Sequence, residues 1–153
     1  MITQTQCAIF KQNVYNGLEN FSATTPYTYK IALYTALADL GVDTIAYTST
    51  NEVVGDGYTA GGETLTLIPT QVDTQTNTAY VSFNNVTWNP AAFTTRGALV
   101  YNANTGAACF ILNFGSDKIC SNSFTIQFPA ATYSSAILTL GTTTSSINYS
   151  SPD

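Results

Sequence analysis

Nine carboxylates, four cations, three cysteines and ten tyrosines make up the titratable chemistry of this chain, and there is no histidine. The commonest general base, metal ligand and near-neutral pH switch is therefore missing. Some carboxylates fall in pairs along predicted loops, Asp39 with Asp43 and Glu52 with Asp56. Neither pair has the Asp-x-Asp-x-Asp-Gly spacing of a calcium loop. A glycosidase pair needs a fixed separation across a cleft, which sequence spacing does not supply. The four are expected to be solvated loop charges. Cys7, Cys109 and Cys120 are irregularly spaced and form no Cys-x-x-Cys pair, so they read as small buried hydrophobes rather than thiolate ligands. A Cys109–Cys120 disulfide is the alternative.

The loop Gly55-Asp56-Gly57-Tyr58-Thr59-Ala60-Gly61-Gly62 resembles a phosphate cradle only in its glycine content. No Lys-Ser/Thr follows it, and the next run is strand-like rather than helical, so it is expected to be a turn requiring positive φ. Serine and threonine hydroxyls are abundant, but no base stands by to activate one and no Gly-x-Ser-x-Gly elbow occurs. The single tryptophan, Trp88, is expected to anchor the core, with a carbohydrate platform as the alternative. Arg96 either pairs with a carboxylate on a partner or forms a surface ion pair within the chain. These residues predict a non-enzymatic protein with no cofactor and no metal.

Composition narrows the partners. Charged residues are 8% of the 153-residue chain, against about 25% in an average domain. The net charge of −5 with so few cations argues against tracking a phosphate backbone, so no nucleic-acid partner is expected. No apolar stretch approaches the roughly 18 residues that span a bilayer, and no leader-like segment opens the chain, so no membrane partner is expected. Aromatics at 12%, with Thr the commonest residue, indicate a β-rich domain made polar by hydroxyls and amides.

The elements that position these residues follow from periodicity. Between Thr5 and Phe21, the residues Ile9, Phe10, Val14, Leu18 and Phe21 form one helical stripe, predicting an amphipathic helix over about 6–20. Lys11, Gln12, Asn16 and Glu19 face away from it. The stripe must cover an apolar surface, on its own sheet or on a neighbour, so Phe10, Val14 and Leu18 are candidate contact residues. After it come short strands: Tyr29–Thr35, Glu63–Ile68, Ala79–Phe83, Ala98–Tyr101, Cys109–Phe114, Phe124–Phe128 and Ala136–Leu140, with turn signals between them, among them Asp73–Asn77, Asn104–Gly106 and Gly115–Asp117. The fold class predicted is mainly β, an antiparallel β-sandwich of jelly-roll type with one N-terminal amphipathic helix. Its core should contain Ile31, Leu33, Val81, Phe83, Trp88, Leu99, Ile111, Phe124 and Ile126. Ala36–Asn51 is expected to be an ordered surface loop. Residues 1–140 read as one domain and 141–153 as a C-terminal interaction arm, anchored by Ile147 and Tyr149.

Seven short motifs recur in order: Phe10-Lys11-Gln12 with Gly17-Leu18 and Asn20-Phe21; Lys30–Thr35; Thr50-Asn51-Glu52-Val53; Gly57–Gly62; Val86-Thr87-Trp88; Arg96–Asn102; and Asn113–Lys118. This order, over about residues 8–140, resembles a family of small virion proteins encoded in the structural modules of tailed bacteriophages. The resemblance implies a virion location, after synthesis in the host bacterial cytoplasm. It further implies a capsid cement or decoration protein, commonly a trimer, seated on the major capsid protein. A tail, adaptor or fibre-associated component, or a sugar-binding receptor-recognition module, is the alternative.

Overall fold

The computed structural model describes residues 1–141. In chain order these form β1 (Thr5–Gln6), α1 (Ala8–Tyr15), β2 (Tyr29–Tyr34), β3 (Glu63–Thr64), β4 (Leu67–Asp73), β5 (Thr78–Phe83), β6 (Val86–Trp88), β7 (Phe93–Asn102), β8 (Ala108–Cys120), β9 (Phe124–Ile126) and β10 (Leu138–Leu140). The described residues are mainly β, with antiparallel strand pairs and one helix. A five-stranded sheet runs β1-β8-β7-β2-β3, a three-stranded sheet runs β10-β5-β4, and β6 pairs with β9 as a ribbon.

The long β7–β8 hairpin is the spine, closed at Asn102–Ala108 where the Asn-Thr-Gly turn was expected. β2 lies beside it, and its Tyr29, Ile31, Ala32, Leu33 and Tyr34 are all buried. Both faces of this strand are therefore covered. On one side Tyr29 meets Phe83 of β5 at 6.0 Å between ring centroids, and Phe83 also meets Phe110 of β8 at 6.4 Å. A second aromatic group joins the β6–β9 ribbon to β7, with Trp88, Phe93 and Phe124 mutually within 6.3 Å. Such pairs add about 0.5–1.5 kcal/mol each beyond burial. Every expected core residue is buried except Phe124, which is half-buried against the same group.

Three elements differ from expectation for physical reasons. The helix ends at Tyr15, not near 20, because Gly17 takes φ +69°. Leu18 then donates its N–H to the Asn13 carbonyl and Gly17 to Val14, the paired bonds of a Schellman stop. The run Glu63–Ile68 is two strands, since Leu65 turns inward to bond the Tyr29 carbonyl. β3 thus belongs to the first sheet and β4 to the second. Gly115-Ser116-Asp117 is not an interstrand turn but an outward bulge within β8: between Thr95 and Gly97 the partner positions run from Lys118 to Asn113. The stretch 36–51 is an ordered loop, as expected, but it also buries Ala38 and Leu40 and bonds the N-terminal strand through Thr3 and Leu40.

Candidate functional site

Glu52 was expected to be a solvated loop charge, and the fold buries it. Residues 51–53 run along the edge of β2 that β3 leaves open: Val53 donates to the Leu33 carbonyl and Thr35 to the Asn51 carbonyl. The Glu52 side chain then accepts from Tyr47 at 2.6 Å, Tyr58 at 2.6 Å and the Gly61 amide at 2.7 Å. Tyr58 in turn accepts from the Leu33 amide, and Tyr101 donates to the Gly61 carbonyl. Burial first, then the bonds given to Glu52, push the phenols of Tyr47 and Tyr58 far above their ordinary range, so they stay neutral donors. Both carboxylate oxygens are occupied by donors from the protein itself. The arrangement is a clasp holding 47–52 and 57–62 onto β2. The other three loop carboxylates, Asp39, Asp43 and Asp56, are exposed as expected. Sequence reading missed the clasp because a glutamate in a loop carries no mark of burial; the tyrosines on either side were the available signal.

Among the described residues no group of three His, Cys, Asp or Glu could hold a metal ion. Cys7, Cys109 and Cys120 are free and buried, and burial, then the neighbouring Asp43 charge, raises the Cys7 thiol to about 11. Trp88 is buried, as a core anchor should be. It forms one wall of an open polar cleft of about 630 Å³ that also exposes Asp56, Glu63, Asn89 and Asn122.

The concavity with an apolar lining lies elsewhere, between α1 and the three-stranded sheet. Phe10 and Val14 of α1, Phe21, Val81 of β5, and Leu138 and Leu140 of β10 line a groove of about 220 Å³. Phe10 is fixed by an edge-on contact with Phe21, which stacks on Tyr29 at 4.6 Å. The groove is thus built on the main core. Its rim is open, with Val14 39% and Leu140 62% exposed.

Of the contact residues expected from sequence, the structure brings Phe10 and Val14 together here, with Phe10 buried at the base. Leu18 lies past the helix stop and is exposed. Arg96 is remote from the groove and bonds Asp117 within its own chain at 2.7 Å, tying the β8 bulge to β7. Both partners are substantially exposed, so the pair contributes under about 1 kcal/mol. Ile147 and Tyr149 lie outside the described residues. No described helix is long and apolar enough to cross a membrane. No protein-family model, curated protein or solved structure matches the chain.

Proposed function

We propose that the chain is a non-enzymatic virion structural protein of a tailed bacteriophage, a cement or decoration protein that binds the outside of the assembled capsid. The partners in this reading are the major capsid protein and further copies of the chain, as a homotrimer. The observation that carries it is the open apolar groove on a chain with only 8% charged residues. An open groove with an apolar lining and, among the described residues, a single charged side chain, Lys11, suits a partner that fills it. The exposed apolar side chains Val54 and Leu37 on loops and Ile119 on β8 add to the surface suited to contact. Phe83, packed between β2 and β8, supports a sandwich-like arrangement in which the three-stranded sheet forms a second layer.

The test is the number of copies per purified particle, by quantitative mass spectrometry. A count comparable to that of the capsid protein is expected. A count that fits a single ring at one vertex moves the protein to the tail or portal. The polar cleft around Asp56, Glu63, Asn89 and Asn122 favours the second reading, a sugar-binding receptor-recognition module, and glycan binding with few copies per particle decides for it.

A further inference from the structure

A buried donor without a partner belongs to the wall of the polar cleft. Trp88 is 2% exposed, and its buried indole Nε1–H finds no acceptor among the described residues. Buried polar groups are almost always paired, so each exception calls for an explanation. Packed against Tyr58, Phe93 and Phe124, the ring offers no face on which a ligand could stack. What Trp88 still has to give is a hydrogen bond.

The cleft beside it is fixed by main-chain contacts. Ala92 donates to the Asp56 carbonyl at 2.9 Å, and Ala91 donates to the Asn122 carbonyl at 2.8 Å. Gly57 permits the close approach of the first pair of segments, since a Cβ there would strike the Pro90 carbonyl. The stretches 56–57, 88–92 and 121–122 are thereby held against one another. Asp56, Glu63, Asn89, Ser121 and Asn122 stand exposed around a space of about 630 Å³. That lies within the roughly 300–1,000 Å³ of sites that take small molecules. The ion pairs among the described residues are Met1–Asp39 and Arg96–Asp117, so neither carboxylate of the cleft is spent on a cation.

The lining selects its occupant. No Lys or Arg stands among the described residues of the cleft, and Asp56 and Glu63 repel an anion. A metal ion would leave the Trp88 donor unmet, and no group of three His, Cys, Asp or Glu among the described residues could hold one. An apolar molecule would strip water from the polar groups and return no hydrogen bonds. A neutral polyol meets every requirement, because each hydroxyl both donates and accepts. We propose that the cleft is a binding site for a neutral saccharide, with hydroxyls donating to Asp56 and Glu63 and one hydroxyl oxygen accepting from the Trp88 Nε1–H. The inference deepens the sugar-binding reading, on which it rests, and leaves the capsid reading to be decided by copy number.

Trp88 is the one tryptophan of the chain, so a single indole resonance in the nitrogen–proton correlation spectrum reads the site. The purified full-length protein is titrated with maltotetraose, chitotetraose, mannotetraose and lactose, and separately with anionic sialyllactose and with calcium chloride. At least one neutral saccharide is expected to saturate at millimolar concentration or below. It should move the indole proton downfield as the new hydrogen bond forms. The variant Asp56→Ala with Glu63→Ala changes two exposed side chains and should keep a dispersed spectrum. Its binding should be about tenfold weaker or worse, as two charge-assisted hydrogen bonds are withdrawn. A protein that ignores all four neutral saccharides overturns the proposal, as does calcium or sialyllactose shifting the indole in their place. Saccharide binding that leaves the indole unmoved, or survives both substitutions, keeps the sugar-binding reading and overturns this site.

Discussion

Two glutamates show how the same residue type is used in opposite ways. Glu52 spends both oxygens on donors: Tyr58 and the Gly61 amide bond Oε1, while Tyr47 bonds Oε2. A buried carboxylate so supplied is tolerated because each oxygen that lost water gained at least one N–H or O–H donor. Glu19 is less well provided. Its Oε2 accepts from Tyr29 at 2.8 Å and Asn102 at 2.9 Å, but its buried Oε1 has no partner. Burial consequently outweighs those bonds and raises the Glu19 carboxyl above its ordinary value of 4.5. The folded state then holds this proton more tightly than the unfolded chain. By linkage, the group's contribution to stability is fully present below pH 4.5 and is lost as pH rises through the raised folded value. Glu19→Gln should remove that decline. Urea unfolding at a series of pH values should show the natural chain losing stability relative to the variant above pH 4.5, with the two curves converging in slope once Glu19 is fully ionised. Parallel curves throughout would mean that Glu19 titrates alike in both states.

At the scale of elements, two glycines separate conformational preference from packing. Gly17 ends α1 at φ +69° with nothing within 4 Å of an added Cβ. Gly62 has φ +71°, and a Cβ there would strike the Ile31 carbonyl of β2. Gly17→Ala should cost about 1–2 kcal/mol, the ordinary penalty of left-handed backbone. Gly62→Ala should cost clearly more, above about 3 kcal/mol, because the 57–62 loop must leave β2 and take the Glu52 clasp with it. Denaturant midpoints of the two variants check the order, and equal losses would contradict it. The motifs Thr50–Val53 and Gly57–Gly62 were visible as motifs, and the glycines as positive-φ positions. That they close on each other through Glu52 was not, because the pairing depends on which edge of β2 stays open. The runs Tyr29–Tyr34 and Ala98–Tyr101 were legible as strands because they are short, β-prone, largely apolar runs bounded by turn signals, and the sheet buries them on both faces. The split between β3 and β4 was hidden: Thr64, Leu65 and Thr66 continue the alternation while the chain changes sheets. Helical periodicity likewise ran on through Leu18 and Phe21, although Gly17 had already stopped the helix. The groove at Val14 and Leu140 was half legible, since the helical stripe asked for a covering surface but could not name β10.

For the whole molecule, the surface sets the terms of assembly. In the proposed assembly, charge at 8% of residues limits electrostatic repulsion between copies, and the groove would supply an apolar contact once they meet. Binding of this kind stabilises only what presents the complete site. If the site on a phage shell is formed by neighbouring capsid subunits together, the protein binds the assembled shell and not its separated parts. Mass action then raises shell stability in proportion to the logarithm of free protein concentration over Kd, by about 2.7 kcal/mol per site at a hundredfold excess. Summed over many sites, a modest affinity becomes a large barrier to rupture. Particles produced without the protein should therefore release DNA at a lower temperature, and after milder osmotic shock, than complete particles. Adding the purified protein back should restore the release temperature in a concentration-dependent way, followed by fluorescence of a DNA-binding dye during heating. A groove variant, Val14→Lys with Leu140→Lys, should restore less of it at equal concentration if self-association supports the binding. Unchanged release temperatures, accompanied by lost adsorption to host cells, would instead identify the surface as one that meets the host.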